Sequence, residues 1–178
     1  KNSKVKKDDI NFFLSGDLMN QITSSSFSAR SLKIPYLGIF GACSSSMEGL
    51  ALASFIVDSG GANYVLCGTS SHNAASEKQF RYPTEYGGQK PPTSQWTVTG
   101  AGAAVIGKGY DRPKVTSATI GKVMDMGISD PFNMGAAMAP AAVDTIEAHF
   151  RDLHRDPSYY DVIATGDLGR IGHNIAKK

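Results

Sequence analysis

Apolar runs along this chain are separated by glycine-rich breaks, and their spacing predicts strands alternating with helices. Residues 10–14, Ile-Asn-Phe-Phe-Leu, form a short β-prone run that ends at a Ser15-Gly16-Asp17 turn. Residues 34–40 predict a second strand, entered through Pro35. Residues 46–59 predict a helix with Met47, Leu50, Ala51, Ser54 and Phe55 near helical spacing. Leu52, Ile56 and Val57 fill much of the remaining circumference, which is the pattern of a helix buried nearly all round. Gly60-Gly61 stops it. Residues 63–69 are apolar without alternation, as in a strand covered on both faces.

The pattern then changes. Residues 72–95 form a long polar stretch, and a loop of that length inside a compact domain is often functional. Residues 100–107, Gly-Ala-Gly-Ala-Ala-Val-Ile-Gly, predict a strand of small side chains that another backbone can approach closely. A further strand is predicted at 115–121. A helix is predicted at 138–153, with Ala142, Ile146 and Phe150 on one face and Pro140 in its first turn. A last strand at 161–167 runs into a glycine-rich turn at 166–172. Strand, helix and strand recurring around buried runs imply an α/β layered fold.

Composition narrows the function classes. The chain has 178 residues, 41% hydrophobic and 19% charged, which suits one globular domain. A net charge of +2 supplies no strong pull toward nucleic acid. No apolar window is long enough for a membrane-spanning helix, and no signal peptide is visible. Two cysteines do not make a disulfide framework, and a reduced compartment is expected.

The sharpest candidate is Cys43, in Phe-Gly-Ala-Cys-Ser-Ser-Ser between a predicted strand and the helix. A helix N-terminus favours thiolate, and a tight turn of small residues can aim the sulfur into a pocket. A buried cysteine among small residues gives the same pattern. Cys67, inside an apolar strand, reads as inert core, and without a Cys-x-x-Cys no structural zinc is expected. His72 follows a strand C-terminus, where α/β folds bind ligands, and serves either such a site or the loop itself. His149 and His154 read as solvated, and His173 could approach a pocket from the terminal glycine turn. The loop around Arg81, Tyr82 and Tyr86 offers a carboxylate clamp and stacking rings, or an ordered surface or interface loop. The glycines of 100–107 do not open a helix, which excludes a dinucleotide site.

The segment Gly41-Ala42-Cys43-Ser44-Ser45-Ser46, the helix after it, and Val65-Leu66-Cys67-Gly68-Thr69-Ser70 resemble the thiolase superfamily. So does the Gly-Ala-Gly-Ala strand. Ser70-Ser71-His72-Asn73, the run from Gln79 to Pro91 and Met138-Ala139-Pro140-Ala141-Ala142 are similar to a stage V sporulation branch of that superfamily in spore-forming bacteria.

The resemblance implies a thiolase-like α/β/α/β/α fold of duplicated halves. Residues 1–109 would be most of the first half and 110–178 a truncated start of the second. It implies binding of dipicolinic acid, with or without calcium, and support of its uptake into the developing spore. The setting would be the cytoplasmic side of the spore inner membrane, beside membrane proteins of the same operon. The protein would be peripheral and homodimeric, with no cofactor. Cys43 would occupy the nucleophile position and line the ligand pocket with Ser70, Ser71, His72, Arg81, Tyr82 and Asp167. Asp167 stands where active condensing enzymes of the superfamily carry a histidine, so binding without condensation is expected; acyl transfer through Cys43 is the alternative. The absence of a starting Met and the Lys177-Lys178 end read as a fragment, for which a weak or absent cooperative melt is expected.

Overall fold

The computed structural model describes residues 4–71, 77–82, 88–109 and 112–177. They form two compact units. Lys1–Ser76 with Val98–Ser117 make the first, and Glu77–Thr97 with Ala118–Lys178 the second.

The first unit is built on a four-stranded sheet of order β2-β1-β3-β4, with β1 Phe12–Asp17, β2 Tyr36–Gly38, β3 Tyr64–Ser71 and β4 Gly100–Gly107. β1 lies parallel to both neighbours, in register from Phe13 opposite Tyr36 and from Phe12 opposite Val65 to Asp17 opposite Ser70. β4 pairs antiparallel with β3 from Tyr64 opposite Gly107 to Ser71 opposite Gly100. β1 therefore continues through Ser15-Gly16-Asp17, where the sequence predicts a turn. The ladder to β3 holds those residues, and neighbouring hydroxyls satisfy their polar side chains. β3 buries Val65 and Cys67 on one face and half-buries the rest, so it is not covered equally on both sides.

Two helices pack on this sheet. α1, Thr23–Leu32, has no apolar period in the sequence and buries only Ser25. It stays attached through hydroxyls: Ser25 Oγ donates to Gly16 O at 2.7 Å and lies 2.9 Å from Ser15 Oγ. α2, Ser45–Asp58, covers the other face, and its buried residues are Ser45, Gly49, Ala53 and Val57, four apart. A Cβ on Gly49 would meet Cys67 Cβ at 3.4 Å and Ile39 Cδ1 at 3.3 Å, so small residues let this helix lie close to the strands. The expectation of a helix buried all round is corrected: Met47 is 62% and Phe55 54% exposed. Leu14, Ala53, Val57, Ala62, Val65 and Cys67 form the core cluster.

The second unit is helical among its described residues. α3, Met134–Leu153, begins earlier than predicted because Asn133 caps it, its Oδ1 accepting from Ala136 N. Pro140 consequently sits inside the helix rather than in its first turn, and leaves the Ala136 carbonyl without its usual N–H partner. The predicted terminal glycine turn is instead the entry into α4, Gly169–Ala176, opened by Gly169 at φ 60°. α3 and α4 cross at glycines: a Cβ on Gly172 would fall 2.4 Å from Gly135 O. The strands predicted at 115–121 and 161–167 do not form. Residues 161–167 lie in the second unit, which among the described residues holds no sheet for them to join, and a lone strand leaves its N–H and C=O groups unpaired.

Candidate functional site

β1, β2 and β3 run parallel, so their C-terminal ends share one edge of the first unit's sheet. In layered α/β folds that edge collects ligands. Cys43 reaches it from β2, on the single 3₁₀ turn Ala42–Ser44 that leads into α2. Its thiol is free and exposed. The turn is tight: Ala42 takes a left-handed φ of 48°, which costs a non-glycine residue about 1 kcal/mol or more. Hydrogen bonds hold it there. Gly41 N donates to Ser45 Oγ at 3.0 Å, and Ser44 Oγ donates to Gly41 O at 2.8 Å. Strand, glycine, strained alanine, cysteine and helix follow in the order that presents a nucleophile at a helix start.

Behind the edge lies a polar hub that the sequence conceals. Asp17, the last residue of β1, is 0% exposed. Its Oδ2 accepts from Ser24 Oγ of α1 and, at 3.3 Å, from Ser70 Oγ of β3. The two serine hydroxyls also contact each other, and Oδ1 accepts from Met19 N at 3.3 Å. Ser70 thus turns inward. Ser71 is half-buried at the end of β3, and His72 lies outside the described residues.

A pocket of about 230 Å³ opens between α2 at Ser46 and Leu50 and the strands at Cys67, Thr69 and Ala104. Cys67 is 3% exposed, and burial pushes its thiol pKa up, which keeps it protonated and inert.

Arg81, Tyr82 and Asp167 belong to the second unit. Arg81 ends the 3₁₀ turn Gln79–Arg81, with Nη2 3.8 Å from Oε2 of the buried Glu77. Its Nε is buried and finds no hydrogen-bond acceptor among the described residues. A buried unpaired donor costs about 1–3 kcal/mol and calls for an explanation. Tyr82 is half exposed and stacks on Phe132, centroids 4.7 Å apart at 27°. Lys90 Nζ lies 4.3 Å above the Trp96 ring. Asp167 spends both carboxyl oxygens on backbone: Oδ2 accepts from Trp96 N at 2.7 Å and Oδ1 from Gly169 N at 2.8 Å. Gln95 Nε2 donates to the Asp167 carbonyl, and Arg170 N to Pro92 O at 2.9 Å. Asp167 therefore fastens the segment before Val98 to the start of α4.

His149 departs from its predicted solvated state. Its Nδ1 is 2.8 Å from Thr119 Oγ1 and its Nε2 2.5 Å from Tyr160 OH, which also accepts from Arg155 Nη1 at 2.7 Å. These partners lie 30 and 11 residues away, beyond any periodic signal. His173 is exposed on α4. Among the described residues no group of three or more His, Cys, Asp and Glu could hold a metal ion, and no helix is long and apolar enough to cross a membrane.

The family model of Stage V sporulation protein AD (SpoVAD) matches residues 1–178. The chain belongs to that family. It is 58% identical over 175 residues to Stage V sporulation protein AD of Bacillus subtilis (strain 168), covering 98% of this chain and 52% of that protein. The chain thus spans about half the length of the curated relative it matches. Among solved structures it is similar to a 3-oxoacyl-(acyl-carrier-protein) synthase III, with TM-score 0.62, 14% identity, and coverage of 97% of this chain and 61% of that one. The synthase III of Aquifex aeolicus VF5 gives TM-score 0.54 at 18% identity, covering 82% and 49%. Identities this low speak for fold alone. The mixed α/β sheet and these neighbours establish the thiolase-like fold that the Cys43 segment implied.

Proposed function

We propose that the protein carrying this chain binds dipicolinic acid, alone or as its calcium complex, and supports its uptake into the developing spore without condensing acyl groups. Family membership supplies the sporulation setting. The observation that carries the ligand class is Arg81, whose buried Nε has no acceptor among the described residues. A planar guanidinium offers paired donors to a carboxylate, and a dicarboxylate ring would satisfy the missing acceptor. The half-exposed Tyr82 ring, stacked on Phe132, presents a flat surface for an aromatic ligand. In this reading the protein is a homodimer, peripheral to the cytoplasmic face of the spore inner membrane beside membrane proteins of the same operon.

Calorimetric titration of the full-length protein with dipicolinate, with and without calcium, tests this. Binding should weaken at least about tenfold in Arg81→Ala, the loss of a charge-assisted hydrogen bond. A well-folded wild type that takes up no dipicolinate overturns the reading.

A second reading rests on a different observation, the exposed Cys43 beside the left-handed Ala42 at the start of α2. It makes Cys43 an acyl acceptor. Incubation with a panel of acyl thioesters would then give an intact-mass adduct that Cys43→Ala abolishes, and an unmodified protein across the panel rejects it.

A further inference from the structure

The two helices of the sheet unit are fastened to it in different ways. α2 buries Ser45, Gly49, Ala53 and Val57, and the last two belong to the core cluster. In α1 only Ser25 is buried, and Phe27 is 61% exposed. Ala29 and Leu32, one and two turns beyond Ser25, are half-buried. What holds α1 is a set of hydroxyls: Ser25 Oγ meets Gly16 O and Ser15 Oγ, and Ser24 Oγ meets Asp17 Oδ2 and Ser70 Oγ. When a helix lifts off, water replaces such hydrogen bonds, so each one holds it less firmly than a buried leucine would.

Both ends of α1 stand in left-handed backbone on residues that resist it. Ile22, before the first turn, has φ 46°, and Lys33, after the last, φ 55°. Glycine suits this region, and a β-branched residue such as Ile22 tolerates it least. The ends are nevertheless seated. A Cβ on Gly38 would fall 2.5 Å from Ile22 Cδ1, so Ile22 lodges where β2 has no side chain. Ile34, next to Lys33, is buried. Strained turns between seated residues confine motion to the stretch between them. β1 keeps its own place without α1: its residues are laddered to β3 from Phe12 to Asp17, and Leu18 N donates to Ser70 O at 3.0 Å.

We propose that α1 is a flap, hinged at Ile22 and Lys33, that leaves the sheet by local unfolding while the strands stay paired. Opening relieves the strain at both hinges and turns the serine hydroxyls to water. It bares the Asp17 carboxyl group, 0% exposed under the closed flap, together with Ser15 and Ser70 at the C-terminal edge of the parallel strands. The polar attachment and the left-handed hinges are separate observations that point the same way. The flap lies wholly within the first unit and is independent of both readings above.

Amide hydrogen exchange of the full-length protein, read by mass spectrometry, tests this. The amides of residues 27–33 should exchange at least about a hundredfold faster than those of β1 and β3. Ser25→Ala, which removes the bonds to Gly16 and Ser15, should speed exchange of α1 about tenfold and leave β1 and β3 unchanged. Lys33→Gly should slow it about threefold, since glycine accepts the left-handed conformation and the Lys33 side chain is exposed. Carbodiimide-driven amidation of Asp17, located by peptide mass, should follow α1, rising in Ser25→Ala and falling in Lys33→Gly. Exchange of α1 and the strands at one common rate, in wild type or in Ser25→Ala, would mark a single cooperative unit and overturn the inference. An unchanged rate in Lys33→Gly, or an Asp17 that stays unlabelled while α1 exchanges, overturns it as well. If Ser25→Ala does not fold, the wild-type comparison and Lys33→Gly decide in the same way.

Discussion

The two units of this chain answer the same kind of sequence signal in opposite ways. In the first, the β-prone runs near 10–14 and 63–69 become β1 and β3, paired in register for six residues from Phe12 opposite Val65 to Asp17 opposite Ser70. In the second, the run at 161–167 sets Val162-Ile163-Ala164 between two aspartates; Val162 is 77% exposed and no strand forms. The β-branched Val162 and Ile163 are ready to pair, but among its described residues the second unit presents no strand edge to receive them. A strand signal states a readiness to pair, and pairing needs a partner of matching register. What orders the second unit instead is the contact of α3 with α4 and the clasp of Asp167.

That contrast can be tested in unfolding experiments on the full-length protein. The largest effect should come from Gly135→Val, since a Cβ there collides with the Leu168 carbonyl; a loss of about 3 kcal/mol or more is expected in urea unfolding. Unchanged stability would mean that the α3–α4 crossing is not what holds the helical unit. Val65→Ala, at the fully buried centre of the sheet unit, should cost about 2 kcal/mol. Asp167→Ala removes the acceptor of two backbone N–H groups and should cost about 1 kcal/mol. Val162→Ser should be the smallest, within about 0.5 kcal/mol of wild type, as for an exposed unpaired side chain. A drop as large as that of Val65→Ala would show that 161–167 is a paired strand in the full-length protein and would break the comparison.

The same distinction marks what could be read before the structure. β3, β4 and the span of α2 were legible because their periodicity and glycine boundaries are local. The buried face of α2 was not: large apolar residues lie all round it, but the buried positions are Ser45, Gly49, Ala53 and Val57, and small residues carry little hydropathy signal. α1 was invisible because serine hydroxyls bound to Gly16 and Asp17 replace an apolar stripe. At the site, the strand–glycine–cysteine–helix order placed Cys43 at the start of α2 correctly. Arg81 stood out as a cation among rings. Asp17 did not, since Ser-Gly-Asp has the composition of a turn and its partner Ser70 lies 53 residues away. His149 was misread for the same reason, its hydrogen bonds being made across distances that no local pattern encodes.

The central claim is that the buried Nε of Arg81 awaits a carboxylate. Side-chain NMR of ¹⁵N-arginine-labelled full-length protein reads that atom directly, with Arg81→Lys identifying its resonance. On addition of dipicolinate the Arg81 Nε–H signal should move downfield and become protected from exchange with water. A resonance that stays in place while dipicolinate reaches saturating concentration would contradict the account.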